Sequence, residues 1–519
     1  MRETLREEFD HALTRYADRV AIEDGVRQLT FAQVDAWANA VAGQLSGLGV
    51  RSGDVVAVYL RNCAEFLVTV VAISRLGAIK MPVNYMLPET TVADMLDRSG
   101  AQVFVVSTSL AEIASAALKR VPDVSVVQVT DDGGPGLSEA TPLTSLPDSP
   151  PAPVDYGEFA LTSRDLAALY FTGGTTGRPK GVLHTQVSSV TLHYAQMLEA
   201  ELVENDRLLL MTPLAHAAGS FAESALIRGA TIVVRDGFDA DEVLELLETE
   251  RITWTFLVPT MIYRLLDAAR AGRERSLHLR TVVYGAAPIS PNRLVEALEV
   301  FGQVFVQLYG QTESPNWGTR LPKSDHDPGR LELLGSCGQA SIMADVMVVD
   351  DDGTPQPPRQ TGEICLRTPY LLHGYLDDLK ATRKKFLGGW VRTGDIGFLD
   401  EDGYLYLRDR KNDMVISGGM NVYCREVEDV LSGHPSVRTV AVIGIPHDDW
   451  GEAVHAVVVP ASTDFSSEEL LDWARGRLAN YARPKSVEVA ESLPETAFGK
   501  IDKQALRGPY WRDRDRGIG

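Results

Sequence analysis

Between Thr231 and Leu308 short β-branched runs alternate with amphipathic stretches, and no other feature narrows the fold as far. Thr231–Val234 reads as a strand. Asp239 then opens a helix, with Glu242 three residues on in a capping-box position, and Val243, Leu244, Leu246 and Leu247 supply its apolar face. A strand at 253–258, a helix after Pro259, a strand at Thr281–Tyr284, a helix capped by Ser290 with Pro291 in its first turn, and a strand at 303–308 complete the run. Parallel strands cannot be joined by tight turns, so a βαβαβ order predicts a largely parallel sheet covered by crossover helices. The rhythm also appears earlier, where Thr30 caps a helix, Val55–Tyr59 is a strand and a further helix begins near Ala64.

The rest of the chain changes character. Residues 130–158 are rich in Pro, Gly, Asp and Ser and read as a surface loop or linker. From about 333 to 407 short strands are punctuated by Gly and Pro, as suits a small antiparallel barrel or sheet. Beyond Arg410 come strands at 439–445, 454–459 and Ser486–Val489 with a helix over 467–478. The expectation is an α/β chain. Its large N-terminal domain, 1–409, has α/β layers with parallel-rich sheets plus a small β-barrel, and a small α+β C-terminal domain spans 410–519.

Composition excludes several roles. The net charge is −21, from 50 basic and 71 acidic residues, which opposes general nucleic-acid binding and docking on anionic lipid. The four cysteines form no CxxC pair, so a zinc site is not expected, and their sparseness suits reduced thiols in the cytoplasm. The N-terminus is charged, and the longest apolar stretch, 66–78, contains Arg75 and is too short to span a bilayer.

Chemistry concentrates in a few segments. YFTGGTTGRPKG at 170–181 follows a strand-like run. Glycines let backbone N–H groups close on an anion, while Thr172, Thr175, Thr176 and Lys180 add hydroxyls and a positive charge, as a polyphosphate requires. No GK[ST] ends the segment, so it is not a Walker A loop. Tyr284-Gly285-Ala286-Ala287-Pro288 and Tyr309-Gly310-Gln311-Thr312-Glu313 lie at the ends of two successive predicted strands, where open α/β sheets bind ligands. An aromatic ring and a Gly/Ala wall suit a flat adenine.

These segments, in this order, resemble the adenylate-forming enzymes, the family of acyl-CoA synthetases, peptide-synthetase adenylation domains and firefly luciferase; the chain looks most like the AMP-forming acyl-CoA ligases. The resemblance covers essentially the whole chain. The family loop reads TSGTTGxPKG, and Gly173 stands here in place of the serine. By resemblance, Thr172, Gly174, Thr175, Thr176, Gly177 and Lys180 cradle ATP phosphates, Gly285, Ala286 and Ala287 line one face of adenine, and Tyr309 with Gly310 lines the other. Glu313 helps hold Mg2+, with Thr175 beside it, and Thr312 touches phosphate. Asp395, in Thr393-Gly394-Asp395, takes the ribose hydroxyls, and Arg410 contacts ribose and phosphate. The family hinge falls at Asn412, and Gly418-Gly419 lines a CoA pantetheine tunnel. Cys424 replaces a common proline there and is expected to be a buried small residue. Lys500, in Pro494-Glu495-Thr496-Ala497-Phe498-Gly499-Lys500, is the mobile catalytic lysine. His216, in Pro213-Leu214-Ala215-His216-Ala217-Ala218-Gly219, gates the acyl pocket, with the stretch around Phe221 and Trp317 nearby. Ala217 occupies the place where α-amino-acid activators carry a carboxylate, which argues against an amino-acid substrate.

The implied activity is ATP-dependent activation of a carboxylic acid, aliphatic or aromatic and fatty-acid-like, followed by transfer to CoA. The partners implied are the acid, ATP and CoA, with an acyl carrier protein as the alternative acceptor and a homodimer as the candidate assembly. A non-catalytic nucleotide-binding module is the alternative of another class.

Overall fold

The computed structural model describes residues 2–131, 134, 136–149, 151, 161–172, 179–273, 275–410, 413–447, 449–462, 464–494 and 501–512. They fall into two compact units. Of the described residues, the larger holds those within 2–172, 179–345 and 367–391, and the smaller those within 346–366 and 392–512.

The larger unit contains two sheets. The first has nine strands, in the spatial order Gln339–Ala340, Ser314–Leu321, Phe305–Gln311, Thr281–Tyr284, Trp254–Leu257, Arg207–Leu210, Thr231–Val234, Val20–Glu23, Gln28–Thr30. The six from Phe305–Gln311 to Val20–Glu23 are mutually parallel, as the alternating pattern required. The second has eight: Gly374–Tyr375, Lys180–Thr185, Leu166–Thr172, Ile79–Pro82, Val55–Tyr59, Val103–Ser107, Ser125–Val129, Thr141–Pro142. Its last six are parallel, and the first two add antiparallel strands at one edge.

One apolar core gathers residues from both sheets and from the helices Phe31–Gly47, Ala64–Leu76, Gln186–Glu199 and Ala217–Arg228. Ala64–Leu76 is buried at every position except Glu65, the behaviour of a helix that is apolar all round. Thr30 caps its helix through a complete capping box with Gln33, and Asp239 accepts the N–H groups of Asp241 and Glu242. Ser290 does hold the N-cap position before Pro291, but its side chain makes no cap bond; its N–H donates instead to the Tyr263 hydroxyl at 2.7 Å. The linker reading of 130–158 needs correction where the chain is described. Thr141–Pro142 is an edge strand, and the Gln44 side chain bonds both Pro142 O and Thr144 N.

Of the short strands between 333 and 410, Gln339–Ala340 and Gly374–Tyr375 join the two large sheets, and the other five, Asp345–Val349, Gly362–Arg367, Trp390–Leu399, Phe386–Leu387 and Leu405–Arg410, form a sheet of their own. The C-terminal α+β segment has its own five-stranded sheet, built on the long Val437–His447 and Gly451–Pro460 hairpin, with the helices Cys424–Ser432, Ser467–Arg475 and Lys503–Arg507. Cys424 is fully buried in its core.

Candidate functional site

The strands Thr281–Tyr284 and Phe305–Gln311 are parallel neighbours, with Tyr284 opposite Gln307. Gly285-Ala286-Ala287, just past the first strand, and Tyr309-Gly310, in the last residues of the second, therefore lie at the same, C-terminal, end of the nine-stranded sheet. A Cβ on Gly285 would lie 2.5 Å from Leu308 O, so the two backbone segments approach here as only glycine permits. Ala286 is in the left-handed region, with φ of 64°, strain of the kind that concentrates at working sites.

After Gln311 the chain reverses at once. Gln311 pairs with Ser314, so Thr312 and Glu313 form the two-residue tip of an antiparallel hairpin. A Cβ on Gly310 would sit 2.6 Å from Asn316 N and 2.8 Å from Ser314 O. Gly310→Ala is thus expected to destabilise the chain by about 1–3 kcal/mol through forced backbone displacement. A lower midpoint in urea unfolding checks this, and an unchanged midpoint would mean the hairpin yields freely.

The tip is held on all sides by the larger unit. His184 Nε2 lies 2.9 Å from Thr312 O; a carbonyl only accepts, so the ring proton is on Nε2. Burial depresses the His184 pKa to about 4, which keeps the ring neutral. Leu372 N donates to Glu313 O at 2.8 Å. The Glu313 side chain is buried, its Oε1 accepting the Tyr375 hydroxyl at 2.6 Å and lying 3.3 Å from Lys385 Nζ. Burial opposes ionisation, but the Lys385 charge and the Tyr375 hydroxyl outweigh it, and the carboxyl titrates below its usual range. Burial and the adjacent carboxylate push the Tyr375 phenol far up, so it remains a donor.

The two strands that flank the glycine/threonine segment end close to the same place. Thr172 pairs with Lys180, the Thr172 hydroxyl lies 3.5 Å from Lys180 O, and Tyr375 pairs with Val182. Lys180 Nζ lies 5.1 Å from the centre of the Tyr375 ring, a cation–π distance. Gly174, Thr175, Thr176 and Gly177 lie outside the described residues, as do Asn412 and Lys500. Tyr309 is buried beside this edge.

His216 precedes the helix Ala217–Arg228. Asn84 Oδ1 accepts Met86 N, which turns the amide NH2 to His216 Nε2 at 2.9 Å. The proton then sits on Nδ1. A Cβ on Gly219 would come within 2.0 Å of Leu214 O, so this turn tolerates no side chain there. Phe221 and Trp317, expected near the acyl pocket, are fully buried against each other, with ring centres 6.3 Å apart.

In the smaller unit Asp395 and Arg410 are cross-strand partners, with Arg410 Nε 3.6 Å from Asp395 Oδ1. Gly418 and Gly419, at φ of 60° and 79°, form the two-residue turn between Val415–Ser417 and Met420–Val422. Two positive φ values in a row require glycine-like residues. Among the described residues no group of three or more His, Cys, Asp or Glu is placed to hold a metal, and no helix is long and apolar enough to cross a membrane.

Tyr375, Lys385 and His184 were missed in the sequence. Tyr375 stands in a Gly-Tyr pair that could have been flagged as a strand, whereas Lys385 is one of three consecutive basic residues with nothing to single it out.

Comparison with known proteins agrees with this geometry. Residues 9–376 match the model of the AMP-binding enzymes and 426–500 match the AMP-binding enzyme C-terminal domain. The chain is 35% identical, over 98% of its length and 90% of the relative's, to a medium/long-chain-fatty-acid–CoA ligase, FadD8, of Mycobacterium tuberculosis. It is 36% identical to a feruloyl-CoA synthase of Amycolatopsis, over 94% of this chain and 95% of that one. Among solved structures, the amide bond synthetase McbA of Marinactinospora thermotolerans superposes with a TM-score of 0.87 at 32% identity, covering 98% of this chain and 99% of that chain. With most of its length matched by the family model, its C-terminal part matched by the companion model, and its relatives aligned nearly end to end, this chain belongs to the AMP-binding enzyme family.

Proposed function

We propose that this protein activates a carboxylic acid with ATP and passes the acyl group to the thiol of CoA. A carboxylate oxygen attacks the α-phosphorus, pyrophosphate leaves, and an acyl-adenylate forms. The CoA sulfur then attacks the acyl carbonyl, its proton is lost, and AMP leaves. The reading rests above all on Glu313, a buried carboxylate kept ionised at the tip of a hairpin, beside the end of the phosphate-loop strand and Lys180.

The family resemblance implies Mg2+, and the residues fit it. Mg2+ is commonly held by one or two carboxylates together with substrate phosphates, and the Tyr375 hydroxyl and the Lys385 ammonium both engage Oε1 of Glu313. When bound, the ion would neutralise phosphate charge. Glu313 would hold it, with Thr175 as a second candidate, while Thr172, Thr176, Lys180 and the loop amides hold phosphates and Thr312 contributes its hydroxyl. Asp395 and Arg410 take the ribose, and Lys500 offsets the charge of the reacting carboxylate and α-phosphate.

The chain divides functionally at 409/410, with 410–519 turning about Asn412 between the half-reactions and Gly418-Gly419 on the pantetheine path. Relatives named for medium/long-chain fatty acids and for ferulate support an aliphatic or aromatic acid, and four free cysteines support a cytoplasmic setting. The similarity to an amide bond synthetase favours one second reading, in which an amine replaces the thiol as acceptor.

ATP–pyrophosphate exchange over a panel of aliphatic and aromatic acids tests adenylation. At least one acid is expected to drive exchange, and silence across the panel overturns the proposal. Thioester formation on adding CoA alone, against amide formation on adding amines, decides the acceptor.

A further inference from the structure

The carboxylate assigned to the metal already carries a cation. Lys385 ends the short helix Leu379–Lys385, where Arg383 and Lys384 are exposed and Lys385 turns inward, its side chain 14% exposed. Its Nζ lies 3.3 Å from Glu313 Oε1 and 3.1 Å from Gln311 Oε1. The ammonium thus spans the last residue of the strand and the tip of the hairpin. The Gln311 amide shows its carbonyl to this ammonium, which leaves Nε2 buried with no hydrogen-bond partner among the described residues. An unpaired donor next to a buried ammonium is an arrangement that an anionic oxygen would complete.

We propose that Lys385 is a resident cation that occupies and orients Glu313 until a metal–nucleotide arrives, then yields Glu313 to the metal and binds the polyphosphate together with Gln311 Nε2. This rests on the reading of Glu313 as the metal-side carboxylate. A purely structural clamp would behave differently. Removing a clamp weakens every ligand, whereas removing a competing cation strengthens metal binding and weakens phosphate binding.

The test uses the full chain and the variants Lys385→Met, Lys385→Gln and Lys385→Arg, each first shown to melt as a folded protein. Mn2+ binding to nucleotide-free enzyme, followed by electron paramagnetic resonance, is expected to tighten about tenfold in Lys385→Met and Lys385→Gln and to stay unchanged in Lys385→Arg. Inorganic pyrophosphate binding at saturating Mg2+, measured by calorimetry, is expected to weaken about tenfold in the first two variants and to be restored in the third. Unchanged or weaker Mn2+ binding overturns the resident-cation role, and unchanged pyrophosphate affinity overturns the polyphosphate role. Neither measurement needs an acid or turnover. A silent acid panel would therefore sink the adenylation reading while leaving these results interpretable, and the reverse holds.

Discussion

Lys500→Ala is expected to lower acid-dependent ATP–pyrophosphate exchange by roughly 10²–10³-fold, while the reaction of preformed acyl-adenylate with CoA stays near the wild-type rate. Two anionic groups, the carboxylate and the α-phosphate, must come together only in the first half-reaction. An ammonium at that point stabilises charge that gathers in the transition state, and its removal costs what loss of one well-placed donor usually costs. In the second half-reaction a thiol attacks a carbonyl with AMP as leaving group, and that charge problem is absent. Lys500→Arg is not expected to rescue exchange, because a planar guanidinium does not replace a compact ammonium on a flexible stem. Equal losses in both half-reactions would show that Lys500 serves the fold or both steps alike. A wild-type protein that binds ATP but exchanges with no acid would favour the non-catalytic module instead.

Much of the larger unit was legible because its signals are local. The β-branched runs and caps between Thr231 and Tyr284 report backbone preferences of the residues themselves, and the described strands lie within about two residues of the expected ones. Strand order was not legible, since it depends on contacts far apart in sequence. Arg207–Leu210 lies between Trp254–Leu257 and Thr231–Val234, and Val20–Glu23 joins from the other end of the chain. The same distinction divides the site. Gly310 and Glu313 announce themselves within one short segment, but the environment of Glu313 comes from Tyr375 and Lys385, brought near by the pairing of Gly374–Tyr375 with Lys180–Thr185. Burial is also non-local. Nothing around Lys80 or Glu223 in the sequence says that either charge lies inside.

Lys80 and Glu223 carry the largest stability effect expected of this chain. Both are almost wholly buried and pair directly, Lys80 Nζ with Glu223 Oε1. His193 Nε2 lies 3.3 Å from Glu223 Oε2, and its Nδ1 is 2.8 Å from Ser224 Oγ, which also accepts Gln196 Nε2 at 2.7 Å. Truncating one partner strands the other charge in the core, so Lys80→Met is expected to destabilise by about 3–5 kcal/mol at neutral pH. The double variant Lys80→Met/Glu223→Leu should recover most of that loss, because it leaves no buried charge unpaired. The pH dependence has a definite sign. Burial raises the Glu223 pKa, but the Lys80 charge and then His193 outweigh it, so the folded value lies below the ordinary one. The stability contributed by the pair is therefore complete above the unfolded glutamate pKa, about 4.3, and is lost as pH falls through the lower folded value. In Lys80→Met the same buried carboxyl lacks its cation, takes up a proton more readily and is relieved by acid. The gap between wild type and Lys80→Met in guanidinium unfolding midpoint should consequently narrow between pH 7.5 and pH 5. A gap that stays constant across that range would show that the two charges are not coupled in the folded chain.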